Sequence, residues 1–431
     1  MAKSKAPRKK AADKRHPMLV APRAVIHMRA QHERARLGLI FGSGASKDLG
    51  FPNWDELVDR IGKDEDVDAG ALLSRLKQET AEPATRSLAS IAHILFNHYR
   101  ERYMKQRALS GSITFLDEQR INSDWLKIIH KQLYRDVDAK KRKKTIEIHP
   151  YLTAFRDIIK RSPLTVNYNF DDTLEKLLIQ SRTDDEVTRT RGYEVTDKPN
   201  AQFQKEHSVI YHPNGYLPSS FEDGASAEVV FSNNAFQDQL ISAANGKYIH
   251  LSNHLFRNTC LLIGLSLEDS TLQSLLRQNA VANPGHIHYI VHYLPKDSKL
   301  EKAALDAIFR ANFTSYNLYT LFLDSSGIRD LANLILMSQD AFRLKYPQAV
   351  RKFVYYIVGS IGAGKSTAAS NFRNLITYDE WVDERLPELA QPQKQVSRAN
   401  IRAMDHWIAE QFRKKNFALR KAEEGIHIID R

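Results

Sequence analysis

Cysteine is all but absent. Cys260 is the only one in 431 residues, which excludes an internal disulfide and every zinc module built on several cysteines. The chain also lacks any run of about 18 apolar residues, so no membrane span is expected. No apolar stretch near the N-terminus ends at a small-residue cleavage site, so no secretory signal is read there. These absences fit a reducing, cytoplasmic setting without zinc and without a membrane partner. Acidic residues are in deficit, with 51 Asp and Glu against 63 Lys and Arg and a net charge of +12.

Two runs carry much of that excess. One is Lys3, Lys5, Arg8, Lys9, Lys10, Lys14 and Arg15; the other is Lys140, Lys141, Arg142, Lys143 and Lys144. Nucleic acid or another polyanion is one reading. Neither run interleaves aromatic residues that stack on bases, so a solvated tail and a solvated loop are the preferred readings.

What is present is an ordinary globular composition, 42% hydrophobic and 26% charged, with chain enough for two to three domains. Residues 1–20 read as a basic, disordered tail. Short apolar runs follow at Leu37–Phe41, Leu164–Tyr168, Ser208–Tyr211, Thr259–Ile263, His288–Tyr293 and Leu318–Leu323. Glycine or polar turns and helix-patterned segments separate most of them. Residues 55–160 are mostly helix-patterned, with apolar positions three and four apart, as at Leu88, Ile91, Ala92, Leu95 and Phe96. Strand, turn and helix in repetition predict an α/β fold with a doubly wound, mainly parallel sheet. Such sheets bind ligands beyond the carboxyl ends of their strands. His286, His288 and His292 lie on or near one strand, where core or edge positions are preferred over a metal pair.

Four polar clusters stand at predicted strand ends. The first is Gly42-Ser43-Gly44-Ala45-Ser46, followed by Gly50-Phe51-Pro52-Asn53-Trp54. The second is Asn169-Phe170-Asp171-Asp172-Thr173-Leu174-Glu175, the third Tyr211-His212-Pro213-Asn214-Gly215, and the fourth Gly264-Leu265-Ser266-Leu267-Glu268-Asp269. Glycines after a strand allow a tight turn and close backbone approach to a phosphate, although packing alone also calls for them. Asn169 and Asp171 are equally good helix caps.

Taken in order, the four clusters resemble the sirtuin motifs: the glycine loop with its Gly-x-Pro segment, the Asn-Tyr-Asp-Asp-x-Leu-Glu element, the histidine segment and the late Gly-x-Ser strand end. The resemblance covers roughly residues 25–330 and implies a Rossmann-like domain that binds NAD. The chain lacks cysteines for the zinc ribbon of protein deacylases and has a long helical insertion where it would lie, an arrangement that resembles bacterial sirtuin-like NAD hydrolases of anti-phage defence. The resemblance implies catalytic roles for Asn169, Asp171 and His212, with Asn167 as the runner-up asparagine. It implies cofactor contacts at Gly42, Ser43, Gly44, Ala45, Ser46, Pro52, Trp54, Asn214, Gly215, Gly264, Ser266 and Asp269. Asn214 stands where the family carries its histidine directly before the glycine. Either His212 takes that role from its neighbouring position, or it is structural and the domain binds NAD or ADP-ribose without cleaving it. All four clusters are expected to line one cleft, with the helical insertion packed over it.

Gly359-Ser360-Ile361-Gly362-Ala363-Gly364-Lys365-Ser366 fits the P-loop pattern after the apolar run Phe353–Val358. Backbone amides there, with Gly359, Gly364, Lys365, Ser366 and Thr367, are expected to hold ATP or GTP, with Mg²⁺ at Ser366 and Asp430. The Asp430-Arg431 end is similar to that of nucleoside and thymidylate kinases. The expected organisation is a tail at 1–20, a sirtuin-like domain at 21–326, a helical linker at 327–350 and the start of a P-loop α/β domain at 351–431 that continues past Arg431. A homo-oligomer is expected.

Overall fold

The computed structural model describes residues 16–78, 87–107, 113–179, 193–199, 208–222, 224–360, 362–372, 374–378, 382–383, 386–387 and 396–430. Seven strands make one all-parallel sheet: β1 (Leu37–Phe41), β2 (Thr165–Asn167), β3 (Tyr193–Thr196), β4 (Ser208–Tyr211), β5 (Thr259–Ile263), β6 (His288–Tyr293) and β7 (Leu318–Leu323). Their spatial order is β3-β4-β2-β1-β5-β6-β7. The doubly wound arrangement is therefore present, with the chain crossing from one side of β1 to the other between β4 and β5. The short, half-buried strand β3 is an addition to the predicted set.

Strands buried on both faces need apolar residues at consecutive positions, and β1 and β5 are buried along their whole length. Successive side chains enter opposite faces. Leu39, Phe41, Leu261 and Ile263 thus join one core, while Ile40, Cys260 and Leu262 join the other. Two of the histidines at these strands are held by the backbone. His288 Nδ1 accepts the Cys260 amide at 3.0 Å, and His286 Nε2 meets the Asn258 carbonyl at 3.0 Å.

Helix α1 (Arg23–Glu33) leads into β1. Between β1 and β2 lie α2 (Trp54–Gly62), α3 (Gly70–Gln78), α4 (Leu88–Gln106), α5 (Phe115–Tyr134), α6 (Ala139–Ile148) and α7 (Leu152–Arg161). These form the insertion expected near 55–160. Asn53 and Glu56 open α2 with a reciprocal capping box. Leu152, Phe155, Ile158 and Ile159, three and four apart, give α7 its buried stripe.

Three expectations need correction. Residues 1–15 lie outside the described residues, but 16–20 are ordered: Pro17–Leu19 forms a turn that buries Leu19. Of the basic run 140–144, Arg142 is not in a solvated loop; it sits buried in α6, paired with Asp172 at 2.5 Å. The segment expected as a linker is helical, yet α13 (Ser325–Leu336) does not bridge through solvent. It buries Ile328, Leu331, Leu334 and Ile335 and packs on α1 and α7.

The elements after β2 are α8 (Thr173–Ile179), α9 (Asn233–Ala244), α10 (Ile249–Arg257), α11 (Ser270–Ala282) and α12 (Lys302–Tyr316), then α13 and α14 (Gln339–Lys345). A second, three-stranded parallel sheet follows, in the order β8 (Lys352–Ile357), β10 (Gly425–Asp430), β9 (Ile376–Tyr378), with α15 (Lys365–Ser370) and α16 (Arg398–Lys421). Among the described residues no helix is long and apolar enough to cross a membrane.

This second unit is fastened to the amino-terminal end of the first sheet. Arg29 of α1 pairs with Glu424 at 3.0 Å, and both are buried. Arg29 also donates to the Leu334 and Met337 carbonyls. Gln31 Nε2 donates to the Asn374 carbonyl at 2.6 Å. Asn374 Nδ2 in turn donates to Thr259 Oγ1 at the start of β5 and to the Ile287 carbonyl just before β6.

Buried neutral histidines make this fold acid-sensitive. Burial pulls His27, His32 and His254 down to about 4, and His288 well below its ordinary value. The unfolded chain protonates them near 6.5, so between pH 6.5 and 4 it binds more protons than the native state. Stability is full above that window and falls as pH drops through it, by about 1.4 kcal/mol per pH unit for each such proton. His212, whose value is raised, keeps its contribution throughout this window. Thermal unfolding between pH 7 and 4.5 is expected to show a steep fall in Tm; a flat Tm would contradict the assignment.

Candidate functional site

Phe41 ends β1, and the loop after it leans on the end of β5. Gly42 N donates to the Ile263 carbonyl at 2.9 Å, and Gly44 N to the Gly264 carbonyl at 3.0 Å. A Cβ on Gly42 would lie 2.6 Å from Gly264 O, and one on Gly44 2.9 Å from Gly264 Cα. Gly264 has φ +70°, and its own Cβ would lie 2.5 Å from Ala45 N. Packing of two loops therefore requires all three glycines, whatever ligand comes near.

Beside this seam opens a cleft of about 620 Å³ at the carboxyl ends of β1, β2 and β5. That is mid-range for a small-molecule site. Gly42, Ser43, Ser46, Pro52, Trp54, Asn169, Asp171, Asn214, Gly264, Ser266 and Asp269 line it. The helical insertion contributes Leu57, Ser87, Leu88, Ala89 and Leu133 to its wall. Gly44, Ala45 and Gly215 stand behind the lining. His212 does not line the cleft, against expectation.

Asn169 is held by its own side chain. Its Nδ2 donates to the Gly42 carbonyl at 3.0 Å and to Ser46 Oγ at 3.1 Å. A carbonyl only accepts, so the amide orientation follows. Ser46 Oγ donates to Asp171 Oδ2 at 3.0 Å, and Asp171 Oδ1 accepts the Thr173 amide at 3.0 Å, which starts α8. Asn169 Oδ1 is thereby left as an acceptor on the cleft wall. The runner-up, Asn167, is buried and accepts the Asn169 amide at 3.2 Å.

His212 is fully buried. The Thr196 carbonyl of β3 accepts its backbone amide at 2.8 Å. Its Nδ1 meets the Asn169 carbonyl at 2.8 Å, and its Nε2 meets Glu175 Oε1 at 2.9 Å. Burial alone would lower this imidazole, but the Glu175 carboxylate, the Asn169 carbonyl and Asp171 outweigh it, and the net shift is upward. Asn214, two residues on, does reach the cleft, where Gln239 Nε2 donates to its Oδ1 at 3.0 Å.

The opposite wall carries groups without full partners. Asp269 Oδ1 caps α11 through the Leu272 amide at 2.7 Å, while Oδ2 is buried with no well-formed hydrogen bond. Burial raises the Asp269 carboxyl, opposed by the Leu272 and Thr271 amides and by the nearby Asn214 amide. Tyr168 OH and Trp54 Nε1 are likewise buried and unpartnered in the cleft wall. Trp54 stacks on Phe231 at 5.5 Å. Tyr168 carries no motif signature; an aromatic hydroxyl one residue before the predicted asparagine was its only sequence signal. Asp172, beside the predicted Asp171, turns away to Arg142, Tyr134 and Ser219. Burial would raise it, but Arg142 and Ser219 hold it below the usual carboxylate range.

Residues 163–320 match the family model of the SIR2-like domain. That segment runs from β2 into β7 and carries three of the four motif clusters; β1 and its glycine loop precede it yet stand at the centre of the same sheet. The match suggests an NAD-dependent enzyme. No match to a curated protein is found for the chain. Among the described residues, no group of three or more His, Cys, Asp or Glu side chains could hold a metal ion.

The second glycine loop follows β8. Gly362 and Gly364 take φ +82° and +79°, a conformation that favours glycine; Ile361 lies outside the described residues. Lys365 Nζ donates to the Ser360 carbonyl at 3.3 Å. Ser366 Oγ donates to Asp430 Oδ2 at 2.7 Å, and Asp430 Oδ1 is buried without a partner. Thr367 follows on the same turn of α15. The two glycine loops thus belong to different sheets.

Gly264→Ala is expected to break the seam. A left-handed φ costs a non-glycine residue about 1–2 kcal/mol, and the overlap with Ala45 N adds to it. Thermal unfolding should show a lowered Tm and calorimetry a loss of ligand binding at the cleft; parental stability in this variant would refute the packing argument.

Proposed function

We propose that the cleft binds NAD and that the domain hydrolyses the bond between nicotinamide and ribose, releasing nicotinamide and ADP-ribose. The observation that carries this reading is the fixed Asn169 Oδ1, the acceptor left over once both amide protons are committed. An acceptor held by the backbone of the glycine loop suits a water or ribose hydroxyl that must be aimed at one carbon. The nicotinamide ring of NAD already bears positive charge and leaves as a neutral molecule, taking the bonding pair. The ribose becomes electron-poor as it departs, and Asp171 and Asp269 supply negative charge on the cleft wall. Water then bonds to that carbon and gives up a proton. With His212 off the cleft, Asp269 is the acceptor proposed for it, because its Oδ2 is left without a partner and burial raises its carboxyl. Trp54 Nε1 and Tyr168 OH offer unspent donors to the polar groups of the dinucleotide. Effector action in anti-phage defence, by NAD depletion, follows from the resemblance.

Incubation with NAD, reading nicotinamide release, tests this. Asn169→Ala is expected to lower turnover about 10²–10³-fold, the scale for removing a preorganised polar group, with Tm little changed. Asp269→Asn should lower it about 10²-fold or more, and the wild-type rate should fall as pH drops and Asp269 protonates. An Asn169→Ala variant as fast as wild type removes the mechanism.

A second reading rests on Asn214, which stands at the family's histidine position and cannot titrate. On that reading the cleft senses NAD or ADP-ribose without cleaving it. Calorimetric binding without nicotinamide release would select it.

For the second unit we propose a nucleoside triphosphate, ATP or GTP, at Gly359–Thr367. The buried, unpartnered Asp430 Oδ1 next to Ser366 supports it, since a carboxylate and a hydroxyl suit Mg²⁺ carried by a nucleotide. The ion, when bound, would neutralise phosphate charge. Lys365→Ala should weaken ATP or GTP affinity at least about tenfold, as expected for loss of a charged phosphate contact, and leave NAD binding unchanged. Titration of Mg-ATP and NAD into wild type and variant measures both; equal ATP and GTP affinity in the two proteins would remove the P-loop assignment.

A further inference from the structure

We infer that Glu175 and His212 form a positioning pair that holds the main chain of Asn169 in register with the cleft. The inference deepens the hydrolase reading and rests on it for its kinetic part.

The geometry leaves little freedom. The Asn169 carbonyl accepts only, so His212 Nδ1 carries a proton and donates at 2.8 Å. Nε2 then faces Glu175 Oε1 at 2.9 Å. A bare nitrogen lone pair against a carboxylate oxygen would repel, so one proton lies on that contact. His212 is therefore clamped at both ring nitrogens, fully buried, and has no nitrogen left for substrate.

Asp171 lies two residues before α8, and Glu175 is the third residue of that helix. Each grips Asn169 by a different route. Asp171 works through Ser46 on the side chain, and Glu175 works through His212 on the carbonyl. Asn169 is the second residue beyond β2, just after the Tyr168 amide makes its bond to the Phe41 carbonyl of β1. Two side-chain tethers, one from the turn leading into α8 and one from the first turn of α8, hold it there. The charged and titratable groups around the pair are Asp171, Asp172 with its partner Arg142, and the Tyr216 ring 4.6 Å from the imidazole. Glu175 Oε2 is buried without a partner. Glu175 and Tyr216 help line a separate cavity of about 350 Å³.

The test uses the full chain with Glu175→Ala and Glu175→Gln. Nicotinamide release should fall about 10–100-fold in kcat in the alanine variant, the scale known for residues that orient a functional group through another, with KM for NAD changed less than about threefold. Glu175→Gln, which keeps a hydrogen bond to Nε2, should recover most of the rate. The rate of Glu175→Gln should gain a pH dependence near neutrality that the wild type lacks, as His212 begins to titrate there. Imidazole ¹⁵N spectra provide a readout apart from activity: His212 Nε2 in a hydrogen bond to Glu175 in wild type, and a bare Nε2 in Glu175→Ala. A crystal structure of Glu175→Ala should show Asn169 Nδ2 moved beyond hydrogen-bond reach of Gly42 O, and one of Glu175→Gln should show that contact kept.

Unchanged kcat and spectra in Glu175→Ala would overturn the inference. Should the alanine variant fail to fold, Glu175→Gln carries the same readouts, and an unaltered pH profile and ¹⁵N signature there would overturn it. If wild type releases no nicotinamide, the hydrolase reading fails separately, and the pair stands or falls on the spectra and on the Asn169 position.

Discussion

The seam between the loops after β1 and β5 is the contact on which the carboxyl edge of the sheet depends. Two backbone hydrogen bonds, Gly42 to Ile263 and Gly44 to Gly264, close it. They form only because none of the three glycines has a side chain to keep the backbones apart. With the seam closed, Ser46 stands where it can receive the Asn169 amide and donate to Asp171. The Gly42 carbonyl completes the grip on Asn169. One close approach of backbone thus orders a serine, an asparagine and an aspartate that come from two strand ends more than a hundred residues apart.

Several buried charges are handled by pairing. Arg142 with Asp172, His212 with Glu175 and Arg29 with Glu424 each remove two charges from water together. Such pairs contribute little net stability, because desolvation offsets most of the attraction; breaking one of them is what costs. Their effect is to set register. Arg142 ties the helical insertion to the turn that carries Asn169. Arg29 ties α1, and through it β1, to the second unit. The second unit grips the amino-terminal ends of β5 and β6 while the cleft opens at the carboxyl ends. The contact with the second unit and the cleft thus lie at opposite ends of the strands.

Much of this was open to reading in the chain. β1 and β5 are long enough and apolar enough at successive positions that only a buried parallel strand accommodates them. The insertion showed its helices through residues three and four apart. β3 and β9 escaped because three or four residues of mixed polarity carry no period. Arg142 escaped for a related reason: a run of five basic residues looks uniform, and nothing local separates the one that meets Asp172 from those that meet water. His212 and Asn214 show the same limit at a strand end. Two residues apart on a strand they would share a face. But His212 is still bonded to β3 through its amide, while the Gly215 amide bonds back to the His212 carbonyl and turns the chain. The parity rule ends there, and one side chain goes inward while the other reaches the cleft.

By itself the sequence determined the strand and helix periods, the loops that must be glycine, and the order of polar clusters at strand ends. These are properties of neighbouring residues, set by backbone sterics and the burial of apolar faces. The tertiary structure alone decided which polar group faces the cleft and which is clamped behind it. That choice depends on partners far apart in the chain: Glu175 for His212, Asp172 for Arg142, and Gly42 for Asn169. A buried charge or amide must find its complement, and only the fold brings the complement within 3 Å or so.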